Sequence, residues 1–393
     1  MVNKYFVDLH IHIGADRKGQ PVKITASKKL NFANISREAR FNKGLDMIGI
    51  IDCASPIVLE DIDLLLESGE MKELSEGGIK YGDLVIIPGA EVESREKNGG
   101  QAHYLAYFPF LRNIKEYSQL MAQYITNINL SSQSSGLSGK EILQIVDLCN
   151  GILIPAHVFT PYKSFYGRSF ASYREVFTDE EWMKIPAIEL GLSADTYMAD
   201  YLRELSDKTF ISNSDAHSLP KIAREYNVFA MKELNFTEFK QALYRKNGRG
   251  VVANYGLDPR LGKYHRSFCP GCEESFSDQD IVLGCEKCGS KDIVVGVKDR
   301  ILDISDSKES ISPVNRAEYI HQVPLNDIPG IGKKTYQILL ENFSTEMNII
   351  HYISEDDLKK VLKDKIAEKI LKARSGKLSI KVGGGGHYGK VMG

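Results

Sequence analysis

The sequence predicts an α/β chain: a βα barrel over residues 1–250, a connector and small four-cysteine ribbon over 251–315, and a helical unit with a glycine-rich tail over 316–393. Three observations predict it. Short apolar β-rich runs alternate with helix-like segments through the first 250 residues. Four of the six cysteines crowd between Cys269 and Cys288. Residues 321–393 are helical in period and carry 12 Lys and Arg against 8 Asp and Glu, although the whole chain has a net charge of −2. At 393 residues the chain is too long for one ordinary core. Apolar content of 42% and charged content of 26% describe a soluble globular protein. No apolar run reaches the roughly 18 residues that span a bilayer, and no signal-peptide pattern opens the chain. Clustered rather than dispersed cysteines belong to a metal site in a reducing compartment. The expectation is a cytoplasmic protein with no membrane partner.

The barrel opens with "YFVDLHIHIG", Tyr5 to Gly14. In a regular strand alternate side chains share a face, so Asp8, His10 and His12 are expected to point one way and Val7, Leu9 and Ile11 the other. Further strands are expected at "DMIGIID", "DLVIIPGAEVES", "AHYLAYF", "GILIPAH", "AIELGL", "FISNSDAH" and "YNVFAM". Between them "SGKEILQIVDLCN" carries a capping box at Ser138 and Glu141. "ADTYMADYLRELSD" and "FTEFKQALYRKNG" read as two more helices, the second stopped by Gly248. Repeated strand-then-helix order predicts parallel strands, and in a βα barrel the working residues sit at the C-terminal strand ends.

Residues of metal-ligand type fall at strand ends, largely the C-terminal ones: His10, His12, Asp52, Glu91, His103, His157, Asp215 and His217. All five histidines before residue 260 belong to this set. Five imidazoles interleaved with carboxylates point to a metal centre more than to scattered structural histidines. The donor set suits zinc or manganese, and a carboxylate such as Glu91 can bridge two ions for displacement at phosphorus. Asp195, just past a strand, is a base or ligand or else an acid at a helix N-terminus.

"DLHIH", "PGAEVES" followed by "QAHYLAY", "PAH" and "SDAH" resemble the successive motifs of the PHP (polymerase and histidinol phosphatase) superfamily. The resemblance covers about residues 1–250 and implies a distorted βα barrel with two or three catalytic ions, Zn2+ or in use Mn2+ or Mg2+. It implies His10, His12, Glu91 and Asp215 as ligands of one ion, and Glu91, His103 and His157 as ligands of a second. The chain departs from the family at two places. The family's Asp-His after the second strand is Asp52-Cys53, and a histidine six residues after "HxH" is Lys18. Both bear on a third ion, whose surest ligand is His217. Cys53 is either a soft ligand or a cysteine packed beneath the site.

"CPGCEESFSDQDIVLGCEKCG" is CxxC, twelve residues, CxxC. Cys269, Cys272, Cys285 and Cys288 would close a tetrahedron around one structural Zn2+. Such a ribbon either grips nucleic acid or braces its neighbours. "LNDIPGIGKKTYQILL" resembles a helix-hairpin-helix, a DNA-binding motif, with Gly330 and Gly332 in the hairpin and Lys333 and Lys334 beside a helix N-terminus that suits phosphate. "DKIAEKILKAR" resembles the second helix of a degenerate companion. The tail "GGGGHYG" is a flexible end or a loop laid against a backbone or base.

Metal phosphoesterase, ribbon and hairpin in this order resemble the endonuclease Q family of DNA-repair enzymes. The resemblance implies cleavage of a phosphodiester 5′ of a deaminated base (uracil, hypoxanthine or xanthine) or of an abasic site. The chemistry expected is attack by a metal-activated water, with Asp215, His217 and Asp195 as catalytic candidates, on a nucleotide taken out of the stack. A lesion pocket is expected from Tyr162, Phe165, Tyr166, Arg168 and Tyr173, which follow His157, and phosphate contacts from Lys263, His265 and Arg266. The expected partner is DNA, damaged duplex or single strand, with a repair clamp as a further candidate. The alternatives are a small-molecule phosphatase of the histidinol phosphatase type and a non-catalytic DNA-binding adaptor.

Overall fold

The opening strand β1 (Asn3–Ile11) is apolar enough to be buried on both faces from Val7 onward, and the molecule is assembled around it. The structure, a computed structural model, describes residues 1–276 and 284–392. β1 pairs in parallel with β2 (Met47–Ile50), and β2 in parallel with β3 (Leu84–Glu93). Here the parallel order stops. β4 (His103–Tyr107) is antiparallel to β3, to which only the short stretch 94–102 joins it, and β5 (Ile152–Pro155) is antiparallel to β4 across a longer helical connection. β6 (Ala187–Glu189) and β7 (Thr209–Ile211) form a separate parallel pair. Isolated contacts close the ring: Val158 N donates to Glu189 O, Ile11 bridges Ala216 through a pair of bonds, and the Asn254 side-chain amide donates to Phe210 O. The barrel is distorted for that reason.

Two apolar clusters line the strands. Val7, Leu9, Val85, Ile87, Leu105, Ile154 and Ile211 belong to one, and Ile48, Ile86, Leu153, Ile188 and Phe210 to the other, which packs under the helices. The helix Gly139–Leu148 begins on the expected capping box, with Ser138 Oγ accepting from Glu141 N and Ser138 N donating to Glu141. The segment "ADTYMADYLRELSD" is not the single helix expected of it. Only Thr196–Ala199 is α-helical, followed by a 3-10 turn at Arg203–Leu205. Asp200, buried against Arg316 at 2.8 Å, ends it.

Past the barrel, Gly250–Gly256 continues the sheet and pairs with Glu318–His321. The paired strands Phe268–Cys269 and Glu274–Ser275 carry the first cysteines; residues 277–283, within the span between the two CxxC pairs, lie outside the described residues. Four helices, Lys333–Phe343, Glu346–His351, Glu355–Val361 and Asp364–Arg374, enclose a third core of Leu325, Ile331, Leu339, Ile349, Leu358 and Ile370 among others. This unit is keyed to the barrel by polar groups. Lys43 and Glu346, each about 1% exposed, meet at 2.5 Å, and Tyr336 OH donates to the same carboxylate. A buried pair of this kind specifies an arrangement more than it adds stability. Nearby, Tyr226 OH is hydrogen-bonded to His351 at 2.7 Å, and burial together with Arg374 lowers His351 to about 4. The glycine-rich tail is not loose. Its hairpin, Ile380–Lys381 with Lys390–Val391, lies on the ribbon and connector, where Gly383 and Gly389 donate to Arg260 O and Leu261 O. Among the described residues no helix is long and apolar enough to cross a membrane.

Candidate metal centre

At one rim of the barrel, where β1, β3 and β5 end and the antiparallel β4 begins, the imidazoles and carboxylates converge on a cleft of about 560 Å³. Three sets of side-chain donor atoms lie within 4.8 Å of one another: His10, His12 and Glu91; Glu91, His103 and His157; and His12, Asp215 and His217. Glu91 belongs to two sets and His12 to two. Glu91 Oε1 is 3.1 Å from His103 Nδ1 and 3.6 Å from both His10 Nε2 and His157 Nε2. Asp215 Oδ1 is 3.3 Å from His12 Nε2, 3.5 Å from His10 Nε2 and 3.4 Å from His217 Nδ1. Burial works to raise the Glu91 carboxyl, but His103 and Lys23 hold it well below the usual range.

A second tier orients the rings. Glu189, about 1% exposed, meets His10 Nδ1 at 2.9 Å and accepts from His157 N and the Asn213 amide. Asp52 does the same for His12, meeting Nδ1 at 3.0 Å and accepting from Ile13 N at 2.7 Å. A carboxylate on one ring nitrogen fixes the tautomer and turns the other nitrogen toward a cation. Backbone strain adds to the order: His157 and Asp215 have φ of +30° and +45°, a region that non-glycine residues adopt at a cost and that clusters at functional sites.

The donors fit metal ions. His10 Nε2 and both ring nitrogens of His103 are buried without a hydrogen bond, although carboxylate oxygens stand nearby. Buried ring nitrogens aimed at carboxylates across gaps too long or too bent for hydrogen bonds are what a cation between them requires. The cysteines fit too. Cys269 and Cys288 sulfurs are 3.5 Å apart, as are those of Cys272 and Cys285, and all four lie within 4.8 Å of one another. Thiolates about 2.3 Å from one tetrahedral ion stand about 3.8 Å apart.

Several expected site residues are placed elsewhere. The pairing of β1 with β2 shifts register between Asp8 and Ile11, so Asp8 leaves the face of His10 and His12 and accepts from Ser214 N and Ala223 N. Asp52 stands behind His12 instead of joining a donor set. Cys53 lies in the apolar core with its Sγ bonded to Ile50 O and joins none of the three donor sets. Asp195 caps a four-residue helix through Met198 N and pairs with His321 at 3.2 Å. Phe165, Tyr166 and Tyr173 are buried, stacked among Phe170, Phe177 and Trp182, and so are core and not pocket. Tyr162 is 45% exposed and lines the cleft. With Arg168 it also lines an adjoining cavity of about 540 Å³, walled by Asp292–Val295 and the Arg300 side chain. His265 is buried, and Arg266 is held by Asp299 at 3.0 Å. Lys263 stands over the Tyr264 and Tyr388 rings. Gly330 has φ +102°, Gly332 caps the helix Lys333–Phe343, and Lys333 and Lys334 are exposed.

No family model matches the chain. Among solved structures it is similar to the lesion-specific endonuclease PfuEndoQ of Pyrococcus furiosus, with 32% identity, a TM-score of 0.84, and coverage of 99% of this chain and 95% of that one. It is equally similar to an endonuclease Q in complex with a 27-mer duplex substrate bearing an abasic lesion at the active site, at 32% identity and a TM-score of 0.83. The chain belongs to the endonuclease Q family. Its barrel, ribbon and hairpin are the architecture of that family, and the chain is accordingly a metal-dependent phosphodiesterase of DNA repair. It is also 43% identical over 392 residues to the uncharacterised protein YqxK of Bacillus subtilis, covering all of it. The uncharacterised protein MJ0043 of Methanocaldococcus jannaschii is 35% identical over 311 residues, which make up 36% of that protein.

The residues that sequence reasoning missed are Lys23, Ser132 and Asn213. Lys23 and Ser132 sit on loops with no strand pattern, and only the fold brings them to Glu91.

Proposed function

We propose that this endonuclease Q family member nicks DNA on the 5′ side of abasic sites and of deaminated bases, namely uracil, hypoxanthine and xanthine. The observation that carries the reading is the adjacency of two spaces that share Tyr162: the cleft of imidazoles and carboxylates, and the cavity beside Arg168. The first suits a phosphodiester and the second a nucleotide withdrawn from the stack. A base that pairs poorly costs less to withdraw, which supplies part of the selectivity.

His10, His12, Glu91 and Asp215 would hold one ion and Glu91, His103 and His157 a second, with His217 and His12 beside Asp215 for a third; zinc or manganese suits these donors, and zinc the four cysteines. Cations so placed would lower the pKa of an attacking water and neutralise charge at phosphorus. Glu189 and Asp52 keep His10 and His12 in the ligating tautomer. Asp215 and His217, each about a third exposed, face the cleft, and His217 would take a proton from water where only two ions are bound. Gly330, Gly332, Lys333 and Lys334 would take phosphates of the duplex, and Lys263, beside Tyr264 and Tyr388, would contact the strand near the cleft.

End-labelled duplexes holding one abasic site, one uracil, one hypoxanthine or no lesion test the reading, with wild-type protein and Asp215→Asn in zinc or manganese. Lesion-dependent nicks on the 5′ side, absent in the variant, are expected. Phosphate release from small monoesters with no nicking would replace the reading by a phosphatase.

A further inference from the structure

One cation is built into the floor of the cleft, and the ligand scheme above leaves it unused. The Lys23 ammonium lies 3.1 Å from Glu91 Oε2, and its side chain is only 15% exposed. It is also bonded to Ser132 Oγ, which itself donates to Glu91 Oε2. The loop that carries it is tied on both sides: Lys23 N donates to Ile13 O, Val22 N to Gly14 O, and Ser131 N to Val22 O. Ser132 is held at φ +55° to reach this cluster. Taking an ammonium out of water is costly, and a chain that fixes one at an active centre by three separate backbone bonds has preorganised it.

A purely structural role fits less well. An ammonium has three donors, and among the described residues it meets two acceptors, both on the cleft wall. Lys163, the other lysine lining the cleft, is half exposed and pairs with Glu93 at its rim at 2.7 Å. Lys23 alone stands beside the carboxylate that links two donor sets.

We propose that Lys23 is a catalytic residue of this centre, contacting a non-bridging oxygen of the scissile phosphate and stabilising the negative charge that grows there. The inference rests on the phosphodiesterase reading of the same cleft. In that reaction a water oxygen bonds to phosphorus and the bond to the leaving oxygen breaks. One proton leaves the water and one reaches the leaving oxygen, so the non-bridging oxygens carry the charge in between. Lys23 neither gives nor takes a proton in this scheme. Its fixed positive charge acts where charge develops.

Lys23→Met and Lys23→Arg test it, each compared with wild type on an abasic duplex and on bis(p-nitrophenyl) phosphate. Metal content and thermal melting are measured on the same preparations. In Lys23→Met, kcat is expected to fall about 10²-fold on both substrates, the loss typical of one transition-state donor, with KM within a few-fold. Metal content and melting stay at wild-type values, and Lys23→Arg restores part of the rate. A kcat within threefold of wild type overturns the proposal. So does a loss of metal that parallels the loss of rate, which would make Lys23 a support for Glu91. If wild-type protein cleaves the small diester but never the duplex, the DNA reading fails, and the diester rates still decide Lys23.

Discussion

The barrel cleft and the cysteine cluster both gather ligand atoms, by opposite routes. The cleft draws on His10, Glu91, His103, His157 and Asp215, from both halves of the barrel, and needs Glu189 and Asp52 behind the rings to aim them. The cluster takes four sulfurs from one short stretch, Cys269 to Cys288. Four thiolates fill a tetrahedron and leave no place for substrate, whereas the cleft shares its donors among three sets and opens onto solvent. A site that is local in sequence can hold its neighbourhood together. One assembled from a whole barrel can do chemistry, because its geometry is fixed from outside and its centre stays accessible. Each way of breaking one site should leave the other standing.

The largest effect is expected from Glu91→Ala, which removes the carboxylate shared by two donor sets. Nicking should fall by at least about 10³-fold, since metal assistance is worth several kcal/mol at the transition state. Metal analysis should show the cleft ions lost and one zinc per chain retained on the cysteines. Next comes Glu189→Gln, which leaves every ligand atom in place. It should weaken cation binding or rate by about 10–100-fold, the range for partners that only orient a ligand, as measured by metal titration and single-turnover nicking. If Glu189→Gln matched Glu91→Ala, the division between ligands and their supports would be wrong.

Cys285→Ser breaks the other side of the comparison. The ribbon zinc should be lost and duplex nicking should fall by about tenfold, equivalent to ~1.4 kcal/mol of binding, while hydrolysis of a small diester stays within about twofold of wild type. Equal losses on both substrates would tie the ribbon to the cleft itself.

The same contrast governs what could be read in the sequence. The cysteine cluster was legible because its ligands are neighbours and its spacing is its geometry. The barrel histidines were legible because strand ends mark the working face. What failed depended on the path of the chain. Strict alternation put Asp8 with His10 and His12, and a register shift in β1 removed it. The aromatic run after His157 looked like a pocket, yet Phe165, Tyr166 and Tyr173 found apolar partners in Phe170, Phe177 and Trp182, and burial of large rings outweighs exposure. The end of β2 groups Asp52 with the ligands, and the fold puts it one layer behind, on His12 Nδ1. Lys23 had no signal at all, because only the stitching of its loop to Ile13 and Ser131 brings its charge to Glu91.

The hairpin is a third kind of site, holding no metal ligands, and it should give the smallest effect. Gly330 takes φ +102°, which favours glycine, and a side chain added at Gly332 would meet nothing within 4 Å, so the N-terminus of Lys333–Phe343 is open to an anion. Lys333 and Lys334 flank it and are exposed. Charges of this kind bind phosphate without reading sequence, so their removal should weaken damaged and undamaged duplex alike. In Lys333→Ala/Lys334→Ala the dissociation constant should rise a few-fold at low salt, roughly 1 kcal/mol. The slope of log affinity against log salt should shrink by up to about 1.8, since each phosphate contact contributes about 0.9. Single-turnover nicking at saturating protein should not change, because neither lysine lines the cleft. A changed rate at saturation would mean that the hairpin sets the position of the scissile phosphate and not only its occupancy, and the cleft could then no longer be treated as independent of the C-terminal modules.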